Sequence, residues 1–156
     1  MGGLFVLHVL FTSPQSFNTY IAASPSIWFN DRAILEEAHA FERQFTTKTS
    51  IKLLITVGDH EQHYIPIEEE QTKEEMRQLF TRDPAALCGR DLEYAVQEAV
   101  EETKNSRMVD NAKELAEELG KRGVNVEFVD FAGEDHMSEV PPAINRAIKF
   151  AWKRPQ

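Results

Sequence analysis

Two short polar loops carry the residue types needed for proton-transfer chemistry. The first is Gly58-Asp59-His60-Glu61-Gln62-His63, and the second is Gly133-Glu134-Asp135-His136-Met137-Ser138. An acid from one and a histidine from the other would make the acid–base pair of a nucleophilic hydrolase. The acid holds one imidazole nitrogen and stabilises the imidazolium, while the other nitrogen takes the proton from a serine. Asp59 and Glu61 compete for the acid position. His60 and His63, with those two acids, also have the residue types of a metal site. Their i,i+3 spacing in a loop differs from the i,i+4 spacing of H-E-x-x-H on a helix. Neither a metal nor any other cofactor is expected.

Such loops do chemistry only if the fold brings them together. Ile51-Lys52-Leu53-Leu54-Ile55-Thr56-Val57 is nearly continuous in β-formers and stops at Gly58. A run of this kind fits a strand covered on both faces, as in a parallel sheet. Val124 to Phe131 alternates and reads as another strand, and Phe17 to Ala23 as a shorter one, closed by Ser24-Pro25-Ser26. Between and around them run helical patterns. An apolar helix over 3–12 reads as buried. A second helix runs from about Arg32 to Phe45, with Asn30-Asp31 able to cap it. Charged segments come next at 69–80 and 91–119, and Pro141-Pro142 opens a last helix. Strands joined by helical crossovers make a parallel sheet. Reactive groups in such sheets collect at the C-terminal ends of the strands, where both polar loops and a third, Ser24-Pro25-Ser26, fall. The expected architecture is α/β, with about three parallel strands and flanking helices. The glutamate-rich stretch at about 64–106 looks like an insertion in an otherwise single domain.

Composition narrows the partners. With 156 residues there is room for about one domain. A net charge of −9 repels phosphate backbones, so no nucleic-acid partner is expected. There is no basic run for a membrane surface, and Leu4 to Phe11 is far too short to span a bilayer. That apolar start also lacks the basic residue and the cleavage site of a signal peptide. The lone thiol, Cys88, cannot form an internal disulfide and fits a reducing cytoplasm.

Several segments, in order, resemble the "putative esterase" family of α/β-hydrolases, which includes esterase D and the enterobactin and bacillibactin esterases. Gly2-Gly3-Leu4-Phe5 is similar to the G-G-L-F that comes after the serine in G-x-S-x-G-G-L-F. Tyr20-Ile21-Ala22-Ala23-Ser24-Pro25-Ser26-Ile27-Trp28 resembles Y-x-A-x-S-P-S-x-W. Leu53 to Gln62 resembles the strand ending in G-x-x-E-Q, and Phe131 to Val140 the loop F-x-G-E-x-H-x-S-x-x-P. Arg107 to Leu115 and Ala147 to Ala151 resemble two of the family's helices. The likeness covers nearly the whole chain except about 64–106.

The resemblance implies the C-terminal part of an α/β-hydrolase fold and a carboxylic ester hydrolase with a small-molecule ester as substrate. It places His136 at the general base and Glu61 at the acid, with Asp59 as the alternative. It also places Met1 at the oxyanion-hole backbone position and the nucleophilic serine immediately upstream of Met1. Ser24 falls in a structural turn of the family, although its type would suit a nucleophile. Trp28 and Phe29 fit either a substrate pocket or packing on the next helix. His8 reads as a hydrogen-bonded core histidine, and Ser138 as a capping or loop serine. The rival expectation is a truncated, catalytically inactive fragment that self-associates through an open sheet edge.

Overall fold

A computed structural model of the chain describes residues 2–44, 51–61 and 69–152. The chain divides into two compact units, one made of Met1–Gln62 with Arg107–Gln156, the other of His63–Ser106.

The first unit holds the sheet. Strand β1 spans Thr19–Ala23, β2 Lys52–Gly58 and β3 Asn125–Phe131, all parallel, in the order β1-β2-β3. The middle strand is the continuous apolar run. From Leu53 to Gly58 every residue is buried, because β2 has a neighbour on each side and cover on each face. The register aligns Ala23 with Thr56 and Gly58 with Phe131, so the strands end at one level.

Alternation divides β2 between two faces. Leu53, Ile55 and Val57 join one core with helices α1 (Gly2–Thr12), α3 (Ile34–Gln44) and α6 (Met108–Lys121). Helix α6 buries Met108, Asn111, Ala112, Leu115, Ala116 and Leu119, a stripe at helical spacing. Leu54 and Thr56 take the opposite face, where helix α7 (Val140–Trp152) packs on β1 and β2.

Helix α1 buries only Gly3, Leu7, Leu10 and Phe11, whereas Phe5 is 66% exposed. The all-round burial expected for it is therefore replaced by one buried face. Asn30 and Asp31 do not cap a helix. Both have left-handed backbones inside the single-turn element α2 (Phe29–Arg32), and α3 starts after it.

The second unit pairs α4 (Glu69–Arg82) with α5 (Leu92–Asn105), with Phe80, Ala95 and Val96 buried between them. The helix expected over 91–119 is two helices. It breaks at Ser106-Arg107, where Arg107 adopts a left-handed backbone. Among the described residues, no helix is long and apolar enough to cross a membrane.

Candidate active site

Glu61 and His136 meet at the C-terminal ends of β2 and β3. Glu61 closes a short 3-10 turn, Asp59–Glu61, directly after β2. Its carboxylate Oε2 lies 2.7 Å from His136 Nδ1. The Glu61 side chain is 4% exposed and that of His136 57% exposed, so a buried carboxylate holds an imidazole that faces solvent. An ionised carboxylate only accepts, so Nδ1 carries the hydrogen and Nε2 is the ring's acceptor.

The other oxygen of Glu61 is held twice. The Gly58 backbone N–H donates to Oε1 at 2.8 Å, and the Ser24 hydroxyl donates to the same atom at 2.6 Å. Two fixed donors set the carboxylate plane and leave Oε2 aimed at the histidine. Ser24 reaches this place from the end of β1. Its N–H extends the ladder by donating to Thr56 O at 2.8 Å, and its backbone is left-handed at φ 39°.

The histidine loop is built around Asp135. Its Oδ1 accepts from the N–H groups of Met137 and Ser138, each at 2.8 Å, and Ser138 Oγ accepts from the Asp135 N–H at 2.8 Å. The backbone N–H groups of Ser138 and Met137 hold the Asp135 carboxyl below its ordinary range. This reciprocal arrangement fixes the turn that presents His136. Ser138 thus serves the loop, as its type and place imply.

Asp59 does other work. Its Oδ1 accepts from the Gly133 N–H at 2.8 Å and ties the acid loop to the histidine loop. His60 is exposed and lies 3.8 Å from Asp59, and its N–H donates to Glu134 O at 3.1 Å. His63 and Gln62 fall outside the described residues, as does Met1 with its expected oxyanion role.

His8 is not a core histidine. It is exposed on α1 and its Nδ1 lies 2.8 Å from Glu37 Oε2 on α3. Trp28 donates from Nε1 to Met108 Sδ at 3.1 Å, so it packs on α6. Phe29 lines an open pocket of about 380 Å³ with Leu4, Phe5, His8, Ala33 and Glu37.

One site residue is absent from the sequence-based candidates. Glu139 is 1% exposed and sits at the start of α7. Its Oε1 is 3.1 Å from Ser24 Oγ, and its Oε2 accepts from Thr56 Oγ1 at 3.3 Å. Burial pushes its carboxyl up, the Ser24 hydrogen bond opposes this, and nearby Glu61 adds to the rise. The only signal in the sequence is an acid three residues from His136, directly before the apolar stretch of the last helix.

Known proteins share this arrangement of strands and helices. No protein-family model matches the sequence. The chain is 35% identical over 156 residues to the ferri-bacillibactin esterase BesA of Bacillus subtilis, covering 97% of this chain and 40% of that protein. It is 38% identical over 153 residues to a siderophore enterobactin esterase of Emericella nidulans, covering 96% and 44%. The solved siderophore hydrolase EstA from Aspergillus nidulans superposes with a TM-score of 0.68 at 36% identity, over 96% of this chain and 44% of that one. The chain thus spans less than half the length of the relatives it matches. Over nearly its whole length, the chain is homologous in sequence and similar in fold to part of these siderophore esterases.

Proposed function

We propose that this chain supplies the acid–histidine half of a serine carboxylic-ester hydrolase. The observation that carries the reading is the 2.7 Å contact between Glu61 and His136 at the ends of two neighbouring parallel strands. In the proposed reaction, His136 Nε2 removes the proton from a serine hydroxyl as its oxygen adds to the ester carbonyl. The tetrahedral intermediate then collapses. The bond between the acyl carbon and the alcohol oxygen breaks, and His136 returns the proton to that leaving oxygen. Water, deprotonated by the same nitrogen, hydrolyses the acyl-serine and regenerates the hydroxyl. Glu61 stabilises the imidazolium at both stages without taking its proton. The serine is proposed to lie upstream of Met1, in a G-x-S turn leading into α1. The names of the relatives motivate the substrate class, the ester linkages of a siderophore.

The test is His136→Ala in a version of the chain extended upstream through that turn. Turnover should fall roughly 10⁴-fold or more. Retained turnover would remove His136 from the chemistry.

A second reading rests on β1. It is five residues long and pairs with β2 on one side. Among the described residues no strand covers its other side. An unpaired edge is a template for another chain. In this reading the chain is an association module that dimerises through β1, and a clean monomer in sedimentation velocity would dismiss it.

A further inference from the structure

We propose that Glu139 is a positioning residue: a neutral carboxylic acid that donates a hydrogen bond to Ser24, which in turn donates to the acid Glu61 and so aligns Glu61 on His136. The inference deepens the hydrolase reading and rests on it for its catalytic consequence.

Too few hydrogens are available if both acids are ionised. Ser24 Oγ lies 2.6 Å from Glu61 Oε1 and 3.1 Å from Glu139 Oε1. A hydroxyl has one hydrogen to give. With two carboxylates, that single proton would face two acceptors. If Glu139 carries its own proton on Oε1, every contact has one hydrogen. Glu139 donates to Ser24, Ser24 donates to Glu61, and Thr56 donates to Glu139 Oε2, 3.3 Å away.

The surroundings point the same way. Glu139 is more buried than Glu61, and the ionisable groups facing it are Glu61 and His136. Its remaining polar neighbours are the two hydroxyls of Ser24 and Thr56, and among the described residues no lysine or arginine offsets a charge there. A buried carboxyl without a cationic partner keeps its proton rather than carry a bare charge. Glu61, by contrast, is held by the Gly58 N–H, the Ser24 hydroxyl and His136 Nδ1.

The chain of donors explains the left-handed backbone of Ser24. That conformation is uncommon for a residue with a side chain. Here it places one hydroxyl between two carboxyl groups that come from different loops. It also gives each element a part in holding the acid: Ser24 after β1, Thr56 and Gly58 on β2, Glu139 before α7. Donors that pass hydrogen bonds in series strengthen one another. Removing Glu139 would leave Ser24 free to turn and Glu61 with one fixed donor, Gly58.

The first experiment uses this chain with ¹³C-labelled glutamate side chains. The Glu139 signal is assigned by its loss in Glu139→Gln. Its carboxyl carbon should still hold the protonated position at a pH where the exposed glutamates of the chain have ionised. An ionised Glu139 at that pH overturns the neutral-donor assignment. The second experiment uses the upstream-extended protein. Glu139→Gln keeps both a donor and an acceptor, and should retain kcat within about threefold. Glu139→Ala should lower kcat roughly ten- to a hundredfold with KM changed far less. An alanine variant with wild-type kcat, or a glutamine variant that fails to rescue while folding normally, overturns the positioning role. Absence of turnover in the extended wild type would count against the hydrolase reading alone, and the carbon spectrum would still decide the protonation state.

Discussion

Gly58 lies flat against the backbone of Glu134. A Cβ built on Gly58 would come 2.2 Å from the Glu134 carbonyl oxygen and 2.7 Å from its carbon. The end of β2 therefore touches the histidine loop with no room for a side chain. Gly58→Ala must push the two loops apart. The predicted cost is at least the 1–3 kcal/mol typical of overpacking, measured by denaturant melts. The same shift should lower catalytic efficiency by roughly a hundredfold in a serine-containing version, because an ångström of displacement suffices for that. Wild-type stability in the alanine variant would show that the loops are not in contact.

The two candidate acids are separable. Glu61 touches His136, while Asp59 binds the Gly133 N–H. Glu61→Gln should cost about 10⁴-fold in kcat, because an amide can stabilise the wrong imidazole tautomer. Asp59→Asn should cost only a few-fold, through loosening of the loop. The reverse ranking in steady-state kinetics would transfer the acid role to Asp59.

Ser24 is predicted to be a support and not a nucleophile, since its hydroxyl is spent on two carboxyl groups. A fluorophosphonate probe should not label it in this chain, as seen by mass spectrometry. In the extended version, Ser24→Ala should reduce turnover by about tenfold and leave labelling of the upstream serine in place. An adduct on Ser24 would refute this.

Two carboxyls give stability opposite pH dependences. The folded Asp135 is held below its unfolded range by backbone N–H groups. Its contribution is present above the unfolded value and is lost as pH falls through the folded one. Glu139 is raised, chiefly by burial. Its contribution is full below the unfolded value and is lost as pH rises through the folded one. Melting temperatures across pH should show Asp135→Ala flattening the acid limb and Glu139→Gln flattening the neutral-side limb. Identical profiles for all three proteins would contradict both assignments.

The sequence alone reveals β2 well, because a strand covered on both faces must be apolar throughout. The acid-then-histidine order at strand ends is legible for a similar reason: polar loops interrupt apolar strands, and there are few of them. The helix break at Arg107 is hidden, since the helical pattern runs through it and only the backbone turns. His8 looks like a core residue because its neighbours are apolar, yet it points outward to Glu37, 29 positions away. Glu139 is invisible for the deepest reason. Its partners Thr56 and Ser24 lie 83 and 115 positions away, and only the folded sheet brings them to one carboxyl.

The acid–histidine pair is tested most directly by hydrolysis of a short-chain p-nitrophenyl ester. Both this chain and a version extended upstream through the G-x-S turn would be assayed. Turnover is expected from the extended protein alone, and it should be abolished by His136→Ala. Failure of both proteins to turn over, with the extended one correctly folded, would contradict the assignment.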